Sequence, residues 1–144
     1  MIEINNLTSN PIDENFLKKV AKIVLEKEGK SRSDLSIALI GPGKMRKLNK
    51  SYLGRNRVTD ILAFGENSKF QIPNFKFRGI GEIVICLREV KKNAKKFKSS
   101  FEKDLARVLI HGILHLLGFD HEKNEKEAEK MEEKEKYYLS LIKS

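Results

Sequence analysis

The stretch that decides the fold is SSFEKDLARVLIHGILHLLGFDH, residues 99–121. Beyond Leu105 its apolar residues cover nearly every side of a helix, and such a helix belongs at the centre of a domain. Ser99 and Glu102 stand at Ser-x-x-Glu spacing, which predicts a capping box at the helix start. Gly118 can take the left-handed conformation and is expected to end the helix. The same stretch holds all three histidines of the chain: His111, His115 and His121.

His111 and His115 are four residues apart, so a helix places both rings on one face about a turn apart. A turn at Gly118 then returns His121 toward the same point. A lone histidine on an apolar helix is usually a hydrogen-bonded core residue. Three unpaired imidazoles in the most apolar helix of the chain would be costly to bury. The pattern H-x-x-x-H-x-x-G-x-x-H is also the zinc-ligand spacing of metzincin proteases. Three neutral histidines leave a fourth coordination position open, the arrangement of a catalytic zinc site. We therefore expect His111, His115 and His121 to bind one metal ion. Zn2+ is the expected ion, although imidazole also suits other divalent transition metals. The residue after His111 is Gly112, where proteases of this spacing carry the glutamate general base. A metal here can still generate a nucleophile by lowering the pKa of water toward about 7.

Outward from this helix, the N-terminal MIEIN alternates and reads as a short edge strand. Asn10-Pro11 is expected to open a helix, with Pro11 in its first turn and Gly29 at its end. Its apolar stripe is Phe16, Leu17, Val20, Ile23 and Val24. LSIALI (35–40) reads as a strand, GPG (41–43) as a turn, and a short helix carrying Met45, Leu48 and Tyr52 follows. TDILAF (59–64) and GEIVICL (81–87) read as strands. Between them, 65–81 reads as a loop or hairpin excursion containing Phe70, Ile72, Phe75 and Phe77. A basic helix through REVKKNAKKF precedes the central one. A charged C-terminal helix follows it, packing through Ala128, Met131, Tyr138, Leu139 and Ile142. The order predicts an α+β fold. It is expected as a single domain over residues 1–144, a mixed four- to five-stranded sheet with about five helices and the metal site on a central buried helix.

A chain of 144 residues suits one domain. It carries one cysteine, Cys86, so it forms no internal disulfide. That fits a reducing compartment, and Cys86 reads as a small buried side chain. No apolar run is long enough to span a bilayer, and the N-terminus lacks the marks of a signal peptide. The expected location is cytoplasmic.

HGILHLLGFDH closely resembles the signature of the YbeY family, bacterial zinc-dependent endoribonucleases of ribosomal RNA maturation, with Phe119 in place of the family's usual tyrosine. Asn49-Lys50-Ser51-Tyr52 and Thr59-Asp60-Ile61-Leu62-Ala63-Phe64 resemble its central motif. Gly81-Glu82-Ile83 resembles its Gly-Asp-Ile strand, and Met131 falls where the family often has methionine. The departures are Leu53 for the family's arginine, Asn56 for an aspartate and Val58 for a proline. The resemblance implies that the three histidines are the metal ligands. It implies a hydrolase that cuts single-stranded RNA phosphodiesters, in maturation of the 3′ end of the small-subunit RNA and in ribosome quality control. The implied partners are ribosomal RNA and the small ribosomal subunit. Arg55 and Arg57 lie near the missing arginine and stand in as candidates for its catalytic role. Asp120 is a candidate orienter of a ligand or of water, or else a turn residue.

The net charge of +9 favours polyanionic partners. It is concentrated in two segments: Lys44, Arg46, Lys47, Lys50, Arg55 and Arg57, then Arg88, Lys91, Lys92, Lys95, Lys96 and Lys98. From 122 to 136 the C-terminal helix has seven glutamates against five lysines, the pattern of a solvated helix. We expect Lys44, Arg46, Lys47, Lys50, Arg57, Lys91, Lys92 and Lys95 to bind RNA phosphates. Two other readings share the ligand spacing or the charge. One is a metallopeptidase, in which Glu82 or Asp120 supplies the base. The other is a non-catalytic RNA-binding ribosome-assembly factor with a bound metal.

Overall fold

The computed structural model describes residues 1–65 and 79–142. Phe70, Ile72, Phe75 and Phe77, expected in a loop or hairpin, lie outside the described residues. The described residues form nine elements in the expected order: β1 (Ile2–Asn6), α1 (Glu14–Lys27), β2 (Leu35–Ile40), α2 (Pro42–Leu53), β3 (Ile61–Phe64), β4 (Gly81–Cys86), α3 (Leu87–Lys96), α4 (Phe101–Leu116) and α5 (Glu125–Ser140).

The strands form one mixed sheet in the order β1-β2-β4-β3. β2 pairs parallel to β1 and to β4, while β3 runs antiparallel along β4. MIEIN is thus an edge strand, as its short alternating pattern implies. Side chains alternate between the two faces of a strand. Ile37, Leu39, Ile83 and Ile85 point into the larger core, against α1, α3, α4 and α5. Ala38, Ile40, Val84, Cys86, Leu62 and Phe64 point the other way and are covered by α2 through Met45, Leu48 and Tyr52. The central strands are therefore apolar on both faces, which explains why LSIALI and GEIVIC read as nearly unbroken apolar runs.

Several boundaries differ by a few residues from the sequence expectation, and three helix starts show why. α1 begins at Glu14 and Pro11 stays outside it. The Asp13 carboxylate accepts the Phe16 N–H at 3.1 Å, so a side-chain cap sets the start instead of the proline. α4 is capped by Ser100, whose Oγ accepts the Lys103 N–H at 3.1 Å. The box from Ser99 to Glu102 is out of register by one residue, and Glu102 lies in the first turn beside the helix's positive end. α2 starts inside GPG, with Pro42 in its first turn, where a missing N–H costs nothing.

α4 is the central buried helix. Leu109, Ile110, Ile113 and Leu114 are completely buried on it. It lies so close to the sheet that a Cβ on Gly112 would sit 2.6 Å from Ile61 Cδ1 and 3.2 Å from Ile83 Cδ1. Among the described residues, no helix is long and apolar enough to cross a membrane.

Candidate metal centre

The C-terminal end of α4 brings the three histidines together. One ring nitrogen from each of His111, His115 and His121 lies within 4.8 Å of the other two. His115 Nε2 and His121 Nδ1 are 3.2 Å apart. Two nitrogens bound tetrahedrally to zinc at about 2.0–2.1 Å would be roughly 3.3 Å apart, so this pair already has the spacing of two ligands. The ring centroids are 4.9–5.1 Å from one another and the rings are steeply inclined, which aims their edges at a shared point. Burial, then the neighbouring His111 and His121, lower the pKa of His115 and favour its neutral form. That is the form that ligates a metal. Among the described residues, no fourth His, Cys, Asp or Glu joins the group. The donor set fits one transition-metal ion with a coordination position left for a non-protein ligand.

Local chain geometry builds this group. Gly118 has φ +100° and follows the cap of α4. Its N–H donates to His115 O at 3.0 Å, and the Phe119 N–H donates to Leu114 O at 3.0 Å. These two bonds form a Schellman motif, which turns the chain back sharply while satisfying the last carbonyls of the helix. Asp120 Oδ1 then accepts the Glu122 N–H at 2.9 Å, an Asx turn that carries His121 under the helix end. In the structure Asp120 is therefore a turn residue. Phe119 packs against the core, and Lys130 and Lys134 of α5 lie over its ring at 5.6 and 5.2 Å.

One residue at the centre escaped the sequence reading. The Nδ1 of His111 is hydrogen-bonded to Oε1 of Glu135, on α5. Glu135 belongs to a helix read from its composition as solvated. A positional signal was present: positions 128, 131, 135 and 138 form the inward stripe of α5, and Glu135 is the one acid in it.

The basic side chains are more dispersed. Lys44, Arg46, Lys47 and Lys50 are exposed on α2, which covers the face of the sheet opposite α4. Leu53 packs into the smaller core on that face. Arg55 and Arg57 are exposed in the loop that follows. Buried Asn49 pins that loop: its Nδ2 donates to Arg57 O at 2.9 Å, and its main-chain carbonyl accepts the Arg55 N–H at 3.3 Å. Lys91, Lys92 and Lys95 are exposed on α3, which packs beside α4 on the histidine side of the sheet. Glu82 is half-buried on the α2 side next to Ser36. Burial raises its pKa, the Ser36 hydrogen bond opposes this, and the nearby Glu3 adds to it.

Fold and site together describe an α+β protein with three histidines that could hold a metal ion. A family model described as Endoribonuclease YbeY matches residues 3–143, and the chain belongs to that family. The chain is 36% identical over 141 residues to the Endoribonuclease YbeY of Chlorobium phaeovibrioides, covering 98% of this chain and 90% of that one. Against the Endoribonuclease YbeY of Persephonella marina it is 35% identical over 125 residues, 87% of this chain and 80% of the relative. A solution structure of a Thermotoga maritima protein superposes with a TM-score of 0.65 at 32% identity, covering 96% of this chain and 87% of that one.

Proposed function

We propose that this chain is a zinc-dependent endoribonuclease of ribosomal RNA maturation, acting in the cytoplasm as one domain over residues 1–144. The observation that supports it is the convergence of His111, His115 and His121 in a chain whose relatives are named endoribonucleases. Bound zinc would polarise a phosphoryl oxygen and lower the pKa of water at the open position. The chain's own residues do the rest. Burial favours the neutral form of His115, and the Asp120 turn holds His121 in register. Lys91, Lys92 and Lys95 lie on the histidine side of the sheet and draw in the RNA backbone. Lys44, Arg46, Lys47, Lys50 and Arg57 extend the basic surface over the other face. Arg55 is the proposed partner for charge developing on the phosphate.

Gly112 argues against a peptidase. It offers no carboxylate base beside the first histidine, and a Cβ built there would meet Ile61 Cδ1 at 2.6 Å and Ile83 Cδ1 at 3.2 Å, so a glutamate would crowd the core. The deciding experiment measures metal content and cleavage of structured small-subunit ribosomal RNA for the wild type and for His115→Ala. Metal and RNA cleavage are expected in the wild type only. A wild type that binds no metal overturns the ligand assignment. Metal-replete protein that leaves RNA intact points to an assembly factor, and peptide cleavage points to a metallopeptidase.

A further inference from the structure

We infer that Glu135 is a positioning residue for the metal centre, acting through His111 from a helix that supplies no ligand. A histidine binds metal through one ring nitrogen, and the partner of the other nitrogen fixes both tautomer and ring orientation. Glu135 Oε1 accepts from His111 Nδ1. With its proton held there, His111 presents the Nε2 lone pair to the point shared with His115 and His121. Glu135 is not part of the ligand group itself. Its contact is with the Nδ1 edge of the ring.

Docking of α5 does not require this contact. Met131 and Tyr138, one turn to either side, are 1% and 2% exposed in the main core. Lys134 also reaches Glu28 Oε2 at 2.8 Å. With α5 held by those contacts, an acid in its inward stripe, with a side chain 17% exposed, is not explained by packing. A charge kept at that position is explained by what it does to His111. It raises the basicity of the ligating nitrogen and holds the ring against rotation.

The inference rests on the metal-site reading, so the test separates the two. Zinc affinity is measured by chelator competition for the wild type, Glu135→Gln and Glu135→Ala, alongside the thermal midpoint of each metal-free protein. Imidazole 15N shifts of His111 are recorded in the metal-free state. Glu135→Gln keeps an acceptor in place and removes the charge. It should retain the wild-type midpoint and bind zinc about 10–100-fold more weakly. Glu135→Ala should lose more affinity and also lose the Nδ1–H tautomer signature that the wild type shows. Wild-type zinc affinity in both variants, with the wild type itself binding zinc, overturns the role of Glu135 and leaves the ligand site standing. A lowered midpoint with unchanged affinity overturns it as well, since that is the result of a purely structural tie. A wild type that binds no zinc overturns the site and this inference together.

Discussion

The Tyr138 hydroxyl donates to Oε2 of Glu28, the residue that caps the C-terminus of α1. Lys134 Nζ reaches the same oxygen, so one carboxylate ties the first helix of the chain to the last. Hydrogen bonds to a charged group contribute about 1.5–3 kcal/mol. Tyr138→Phe keeps the ring in the core and removes the donor. It should lower unfolding stability by about 1–3 kcal/mol in a urea titration, with the slope unchanged.

The same contact predicts a pH dependence at both ends of the scale. Burial raises the Glu28 pKa, but the bonds from Lys134 and Tyr138 outweigh it and the net value lies below the ordinary one. A depressed carboxylate stabilises the fold above its unfolded pKa of about 4.3, and that contribution is lost as pH falls through the folded value. Tyr138 is raised above its ordinary value, by burial and then by Glu28. Its contribution is complete below about pH 10 and is lost as pH rises further. Urea midpoints of the wild type should therefore fall toward pH 3 and above pH 10. In Tyr138→Phe the alkaline loss assigned to this residue should disappear.

Metal binding should register as stability. Zinc at about one hundred times its Kd should stabilise the wild type by about 2.7 kcal/mol, by mass action alone. His115→Ala should show no such gain while keeping the metal-free stability, since His115 is only partly buried. Thermal scans with and without zinc and chelator read both effects.

Two neighbouring serines should behave differently. Ser100 caps α4 and Ser99 does not. Ser100→Ala should cost about 0.5–2 kcal/mol, and Ser99→Ala about 0.5 kcal/mol or less. Equal losses in the two variants would contradict the observed register of the cap.

Gly112 is tested by a graded pair. In Gly112→Ala the new methyl meets the flexible end of Ile61. Overpacking of that kind costs about 1–3 kcal/mol, partly offset by a gain in helix propensity of up to about 1 kcal/mol. Gly112→Glu adds a carboxylate with no partner and should leave little folded protein at 37 °C, read by circular dichroism.

The element order was legible because short apolar runs mark the central strands, apolar stripes mark α1 and α5, and Gly29 and Gly118 end their helices where they should. Gly29, at φ +74°, and Gly118 both follow the cap of a helix. The ligand triad was legible because all three histidines fall within eleven consecutive residues joined by one helix and one turn. The side of the sheet taken by α2 was not legible. β2 and β4 are apolar on both faces, so their pattern does not say which helix covers which face. That hid the separation of the α2 lysines from α4. Glu135 was hidden differently: it lies 24 residues from His111, and composition blurs a single acid into a charged helix. The one-residue shift at Ser100 and the displaced start of α1 are choices between adjacent capping side chains, where local spacing offers more than one answer.

The close seating of α4 on β3 and β4 also bears on descent. This chain shares a ligand spacing with peptidases that need a glutamate after the first histidine. One codon change could write that glutamate at 112, yet the side chain would meet Ile61 and Ile83 before it met a substrate. A larger side chain at 112 would first require Ile61 and Ile83 to give way. The depth at which one helix is set thus limits which side chain can follow the first histidine.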